Sequence, residues 1–150
     1  MQEQAIARAD FYTASKDALQ AMLNLEKSVA NTGLEESLLH LIKLRASQIN
    51  GCAFCVDMHT SDARKAGESE RRLYAVSVWR EAPFFTERER AALAWTESLT
   101  NVAATHVPDA DYASVAQHFS AQEIANLTLA IVAINGWNRF AIAFRKMPQA

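Results

Sequence analysis

The chain reads as an all-α, compact single-domain protein of about six to seven helices, and three observations carry that reading. Apolar residues recur at three- and four-residue spacing through almost every segment. No stretch alternates apolar and polar residues as a half-buried strand would. Two tetrapeptides, Thr86-Glu87-Arg88-Glu89 and Ser120-Ala121-Gln122-Glu123, have capping-box spacing and mark helix starts. At 150 residues one domain, 1–150, is the expected organisation. A chain of this length buries roughly 70% of its unfolded surface, so the core needs no covalent staples.

Taken in order, Ser15 caps a first helix whose stripe Leu19, Met22, Leu23, Val29 and Ala30 ends near Asn31-Thr32-Gly33. A second helix is expected from about Glu35 to Gln48, with Leu38, Leu41, Ile42, Leu44 and Ile49 inward. Asn50-Gly51 interrupts the pattern, and a third helix opens at Cys52 and runs to about Ala66, where Gly67 stops it. A short helix from about Glu70 to Trp79 ends before Glu81-Ala82-Pro83, because proline disfavours helix in the residue before it. The Thr86 capping box starts a fifth helix, with Ala91, Ala92, Leu93, Trp95 and Leu99 apolar. Pro108-Asp109 opens a short one near Tyr112 to Gln117. The last helix, after Ser120, carries one stripe at Ile124, Leu127, Ile131, Ile134 and Ala141 and another at Leu129, Val132 and Phe140. A helix apolar on more than one side is central or in an interface, so this one is expected to be buried, with subunits as one possible cover.

Composition removes several function classes. Fifteen basic and seventeen acidic residues give a net charge of −2 without a basic block, so neither nucleic acid nor an anionic membrane surface has an electrostatic footprint. The start Met1-Gln2-Glu3-Gln4-Ala5 lacks the basic-then-apolar layout of a signal peptide. The apolar run Ile124–Asn138 falls short of the roughly 20 residues of a membrane span. These features lead to the expectation of a cytoplasmic protein. In a reducing compartment a close cysteine pair is redox-active or metal-binding more often than structural.

That pair is the chemical centre of the sequence. Cys52 and Cys55 are spaced Cys-x-x-Cys, and His59 follows at a further four residues, so all three share one face of a helix. A free thiol with a pKa near 8.5 is only about 3% ionised at neutral pH. Unpaired amides and the positive dipole end at a helix start stabilise the thiolate, and His59 can share its proton. Cβ atoms three residues apart on a helix lie about 5–6 Å from each other, whereas a disulfide wants about 3.5–4.5 Å. A bond between Cys52 and Cys55 is therefore expected to close at a pliable helix end and to reopen readily. One thiolate attacks an oxidant to give a sulfenic acid, and the other thiol condenses with it. The spacing alone leaves open which cysteine attacks.

Other readings compete with this one. Two small buried cysteines are one; a zinc site completed by His40 is another, although no second Cys-x-x-Cys or His-x-x-x-His supplies a full ligand set. His106 and His118 read as surface or helix-end residues, Trp79, Trp95 and Trp137 as core or interface, and Asp57 and Glu97 as solvated. Asn135, Asn138 and Arg139 are polar residues in an otherwise apolar helix, expected to satisfy backbone groups or a pair between subunits, with lining the site as the alternative.

The run Arg45-Ala46-Ser47-Gln48-Ile49-Asn50-Gly51-Cys52-Ala53-Phe54-Cys55, followed by His59, resembles the motif of the alkylhydroperoxidase D-like proteins of the carboxymuconolactone decarboxylase superfamily. The stretches Trp79 to Leu93 and Asn135-Gly136-Trp137-Asn138-Arg139 resemble the same single-domain members, and the likeness extends from about Tyr12 to Arg145. The resemblance implies an all-helical fold, trimeric or hexameric homo-oligomers, and cofactor-free, metal-free reduction of hydroperoxides regenerated by an external dithiol or thiol. It implies Cys55 as the attacking thiol, Cys52 as the resolving thiol and His59 as the proton-moving residue. His40 stands where the best-known peroxidase members have a glutamate, and Phe54 where they have a histidine. His40 is accordingly a candidate proton carrier, since imidazole titrates near neutrality. Alternatives are a non-catalytic dithiol sensor and a lactone decarboxylase, the latter independent of the cysteine pair.

Overall fold

The computed structural model describes residues 5–150; Met1–Gln4, part of the segment read for a signal peptide, lie outside them. The described residues form helices and turns with no strand: α1 (Phe11–Ala14), α2 (Lys16–Ala30), α3 (Glu36–Asn50), α4 (Ala53–Lys65), α5 (Glu70–Ala75), α6 (Glu87–Thr100), α7 (Val102–Thr105), α8 (Asp109–Ala116) and α9 (Ala121–Ala143). None is long and apolar enough to cross a membrane.

Helix α3 sits at the centre, packed against α4, α6 and α9. Its sequence explains why: Leu38, Leu39, Leu41, Ile42, Leu44 and Ala46 are all buried, so apolar side chains leave it in several directions. Leu38 and Ile42 join Trp95, Phe119, Leu127 and Ile131 in one core between α3, α6, α8 and α9. Leu41 and Leu44 join Leu73, Val76, Trp79, Phe85 and Leu93 in a second. The far end of α3 delivers the cysteines to a small apolar cluster with Ala141, Phe54 and Ile142.

The capping signals are realised. Ser15 accepts the Ala18 N–H, and Thr86 and Ser120 form complete capping boxes with Glu89 and Glu123. Gly67 adopts a left-handed φ of +97°, as a helix stop requires. Two four-residue helices, α1 and α7, were not expected, since a single turn is too short to show a period. The fourth expected helix stops at Ala75 and tightens into a 3-10 turn over Val76–Val78. Along α9 the first stripe is buried, but in the second Leu129 and Phe140 are half-buried and Val132 is 55% exposed. The single chain, in which α2, α3 and α6 flank this helix, leaves that side open.

Glu97 corrects the sequence reading. It is not solvated: Oε1 accepts Arg45 Nε–H at 3.0 Å and Trp79 Nε1–H at 2.8 Å, and the other oxygen pairs with Arg80. Burial alone would raise its pKa, but the bonds from Arg80, Trp79 and Arg45 outweigh it and hold the carboxyl below the usual range. Asp57, His106 and most of His118 follow expectation at the surface or at helix ends.

Because Leu41 is wholly buried on the central helix, Leu41→Ala should cost about 2–5 kcal/mol. Urea unfolding of the oxidised protein should show a lower midpoint with an unchanged slope.

Candidate redox site

The site begins at the corner between α3 and α4. Gly51 closes α3 in the left-handed region, φ +69°, where a side chain would be strained. The Gly51 and Cys52 amides fold back onto the carbonyls of Gln48 and Ser47, at 3.2 and 3.0 Å. Cys52 then returns to extended backbone and caps α4, its Sγ accepting the Cys55 N–H at 3.3 Å. The cap is thus the residue itself, where a first helical position was expected. The two cysteines are joined in a disulfide, with Cα atoms 5.3 Å apart, and both are buried.

Asparagines hold this corner against α9. Asn50 Nδ2 donates to Asn135 Oδ1 at 2.9 Å and to Asn138 Oδ1 at 3.0 Å. Asn138, with no exposed surface, donates to Ser47 Oγ at 3.0 Å, and Ser47 donates to the Lys43 carbonyl at 2.7 Å. Asn135 also reaches the Ile131 carbonyl, and Arg139 reaches that of Asn135. The polar residues of α9 therefore act inside the chain, through side-chain partners on α3 as well as through backbone. From the sequence, Asn50 reads as a helix breaker and Ser47 only as part of the motif; their role in anchoring the corner to α9 appears only in the fold.

The disulfide separates two hollows. Cys55 lines a cavity of about 280 Å³ together with His59 and His40. Its apolar wall includes Phe54, Met58 and Trp137, and α1 contributes Phe11 and Tyr12. Cys52 instead borders an open groove of about 650 Å³ with Gln48, Val56, Asp57 and Thr60. The structure thus brings all four sequence-selected residues to one place, Cys52 on the outer side and the other three on the inner. Phe54 is a wall, and the Lys146 ammonium lies 5.6 Å from its ring and 4.9 Å from that of Tyr12.

His59 is 8% exposed, and its pKa is lowered to about 4. Burial is the main cause, and the Lys43 charge adds to it, while Glu26 and Asp62 pull the other way. At neutral pH it is an unprotonated base, and its Nε2 has no protein partner. Neither ring nitrogen of His40 has a hydrogen-bond partner. Its Nε2 lies 3.4 Å from Glu36 Oε1, within ion-pair reach but outside hydrogen-bond geometry, so the contact is a weak one. Glu26, Lys43 and Trp137 also line the cavity and were missed as site residues. Lys43 had a readable signal, being three residues after His40 on the same helical face; Glu26, on a separate helix, had none. Among the described residues no three His, Cys, Asp or Glu side chains are placed to hold a metal ion, so the zinc reading through His40 lacks a convergent donor set.

Two outcomes follow. Asn138→Ala should leave Asn50 and Ser47 short of partners and cost about 1–3 kcal/mol, read as a lower thermal midpoint of the oxidised protein. The second concerns acid. The unfolded histidine titrates near 6.5 and the folded one near 4, so the unfolded state takes up the proton first as pH falls. The associated stability is complete above about pH 6.5 and is lost down to about pH 4, amounting to about 3 kcal/mol. Urea titrations at about pH 7 and about pH 4.5 should show this loss in the wild type and a smaller one in His59→Phe.

Comparison with known proteins agrees with this geometry. Residues 16–98, more than half the chain, match the carboxymuconolactone decarboxylase family. An uncharacterized protein of Bacillus subtilis, YdfG, is 41% identical over 136 residues, covering 91% of this chain and 92% of its own. A solved structure from Agrobacterium tumefaciens, a protein of unknown function named as a candidate AhpD antioxidant defence protein, superposes with a TM-score of 0.93 at 48% identity. It covers 97% of this chain and 100% of that one. The debrominase Bmp8 shares the fold at a TM-score of 0.81 and 21% identity, covering 90% of this chain and 73% of that one. The all-helical architecture, the disulfide-capable pair and these matches converge: the chain belongs to the carboxymuconolactone decarboxylase family and is an AhpD-like member of it.

Proposed function

We propose that the protein is a cofactor-free, thiol-dependent hydroperoxide reductase. One observation carries the reading: Cys55 shares a half-open cavity with an unprotonated His59 whose Nε2 has no partner, while its disulfide partner Cys52 borders an open groove. The name given to the Agrobacterium structure supports the same class.

In the dithiol form His59 takes the Cys55 thiol proton. The thiolate sulfur attacks the distal oxygen of the hydroperoxide, the O–O bond breaks, and the electron pair leaves on the alkoxide, which takes the proton from His59. Cys55 is now a sulfenic acid. The Cys52 thiol displaces its hydroxyl, forming the disulfide and releasing water. An external dithiol then reduces the disulfide by exchange and is itself oxidised. The reductant approaches by the open groove beside Cys52, whose buried sulfur must first be uncovered. His40 passes protons between His59 and solvent. The reading includes a homo-oligomer, trimer or hexamer, with the open side of α9 as a contact face, acting in the cytoplasm.

A lactone decarboxylase has no use for the disulfide, and a sensor would oxidise once without turning over. Reduced protein mixed with an organic hydroperoxide should lose two thiols per chain and recover them with dithiothreitol through repeated cycles. Cys55→Ser should lose peroxide consumption by more than about a hundredfold, while Cys52→Ser should consume one equivalent and stop. Thiols that survive the hydroperoxide, or Cys55→Ser as active as wild type, would sink the proposal.

A further inference from the structure

The reaction places a proton on a buried imidazole, and the cavity contains a charged arrangement that this chemistry has not yet used. Glu26 comes from α2, and both its oxygens are occupied from other helices. Oε1 pairs with Lys43 Nζ of α3 at 2.5 Å, and Oε2 accepts Trp137 Nε1–H of α9 at 3.2 Å. All three side chains line the cavity that holds Cys55, His59 and His40. The Glu26 and Lys43 side chains are 31% and 16% exposed, so the pair is poorly screened by solvent.

We propose that Glu26 is a positioning residue for the reaction at Cys55: its carboxylate, fixed by Lys43 and Trp137, compensates the positive charge that His59 carries between taking the thiol proton and returning it. The inference rests on the hydroperoxide-reductase reading for its purpose, though not for its measurement.

The groups facing His59 can be named from every side. Helix α3 presents Lys43 and His40, α2 presents Glu26, α4 itself presents Asp62 and Cys55, and α1 presents the Tyr12 phenol; α9 contributes the uncharged Trp137 and Ala141. Lys43 opposes protonation of His59 and Glu26 favours it. Without Glu26, the lysine would stand uncompensated beside the imidazolium, and the proton would have no stable intermediate seat. A purely structural ion pair pinning α2 to α3 is the competing account. It predicts lost stability in the variants but no change in how His59 titrates.

The test is an NMR titration of the His59 ring in folded protein, for wild type, Glu26→Gln and Lys43→Met, with the alkylation rate of reduced Cys55 followed in parallel. Glu26→Gln retains an acceptor for Trp137 but loses the charge. It should lower the His59 midpoint by roughly 0.5–1 pH unit, and slow Cys55 alkylation near neutral pH about three- to tenfold. Lys43→Met should move the His59 midpoint upward by a similar amount, and it carries the test if Glu26→Gln does not fold. Midpoints that stay at the wild-type value in folded variants overturn the proposal, whatever happens to their melting temperatures. Shifted midpoints in a protein whose thiols ignore hydroperoxides would uphold the positioning role and reject the peroxidase reading.

Discussion

The structure depends on the turn by which α3 hands the chain to α4. Gly51 is the one residue there with a left-handed backbone, and it allows Cys52 to leave the central helix and cap the next. The cap bond runs from the Cys55 amide to the Cys52 sulfur, so the helix start and the redox pair are one feature. Because α3 is packed on several sides, the corner inherits its position from the whole core. Asn50, Asn138 and Ser47 fix the last freedom, rotation of that corner against α9. A cysteine in place of the usual serine or aspartate cap means that chemistry at Cys52 acts on the first turn that holds Cys55.

The cavity is costly to maintain. A buried polar atom without a partner costs about 1–3 kcal/mol, and here His59 Nε2 and both nitrogens of His40 are of that kind. Elsewhere two half-buried arginines are each shared among several acceptors. Arg72 is shared between Glu68, Glu89 and the Phe84 carbonyl, and Arg88 between Glu35, Glu123 and the His118 carbonyl. Among the described residues, the buried side-chain nitrogens and oxygens without a partner are all on His40 and His59, beside Cys55. Such a concentration fits a place that awaits a substrate oxygen or a proton.

Helix starts and the core stripes were legible because each depends on local spacing, through capping boxes and periods of three and four. Cys52, Cys55 and His59 stood out by spacing too, whereas His40, on the preceding helix, stood out by its place in the family motif. The missed features depend on distance. Glu97 lies on an apolar helix and looks solvated until Arg45 and Trp79, from other elements, are folded onto it. Glu26 carries no mark of its own; only the approach of α3 and α9 makes it a cavity residue. The open stripe at Val132 is the converse, a pattern read correctly as apolar that the single chain leaves uncovered.

Magnitudes decide what could ionise Cys55 in the dithiol form. A helix terminus stabilises an anion by about 0.3–1 kcal/mol, up to about 2 kcal/mol when partly buried. That lowers a thiol pKa by at most about 1.5 units. Burial acts in the opposite sense, by up to about 3–5 units for a fully enclosed group, and Cys55 is 1% exposed. By these magnitudes burial outweighs the first turn of α4, which the sequence already pairs with His59. An acceptor inside the cavity is required, and it must be unprotonated at working pH. Burial, which works against Cys55, supplies that condition by keeping His59 neutral. The same burial also weakens His59 as a base, so a proton taken from Cys55 would need negative charge beside the imidazole to hold it there. Ionisation becomes a proton transfer within the cavity, and its position is set by the charges around His59.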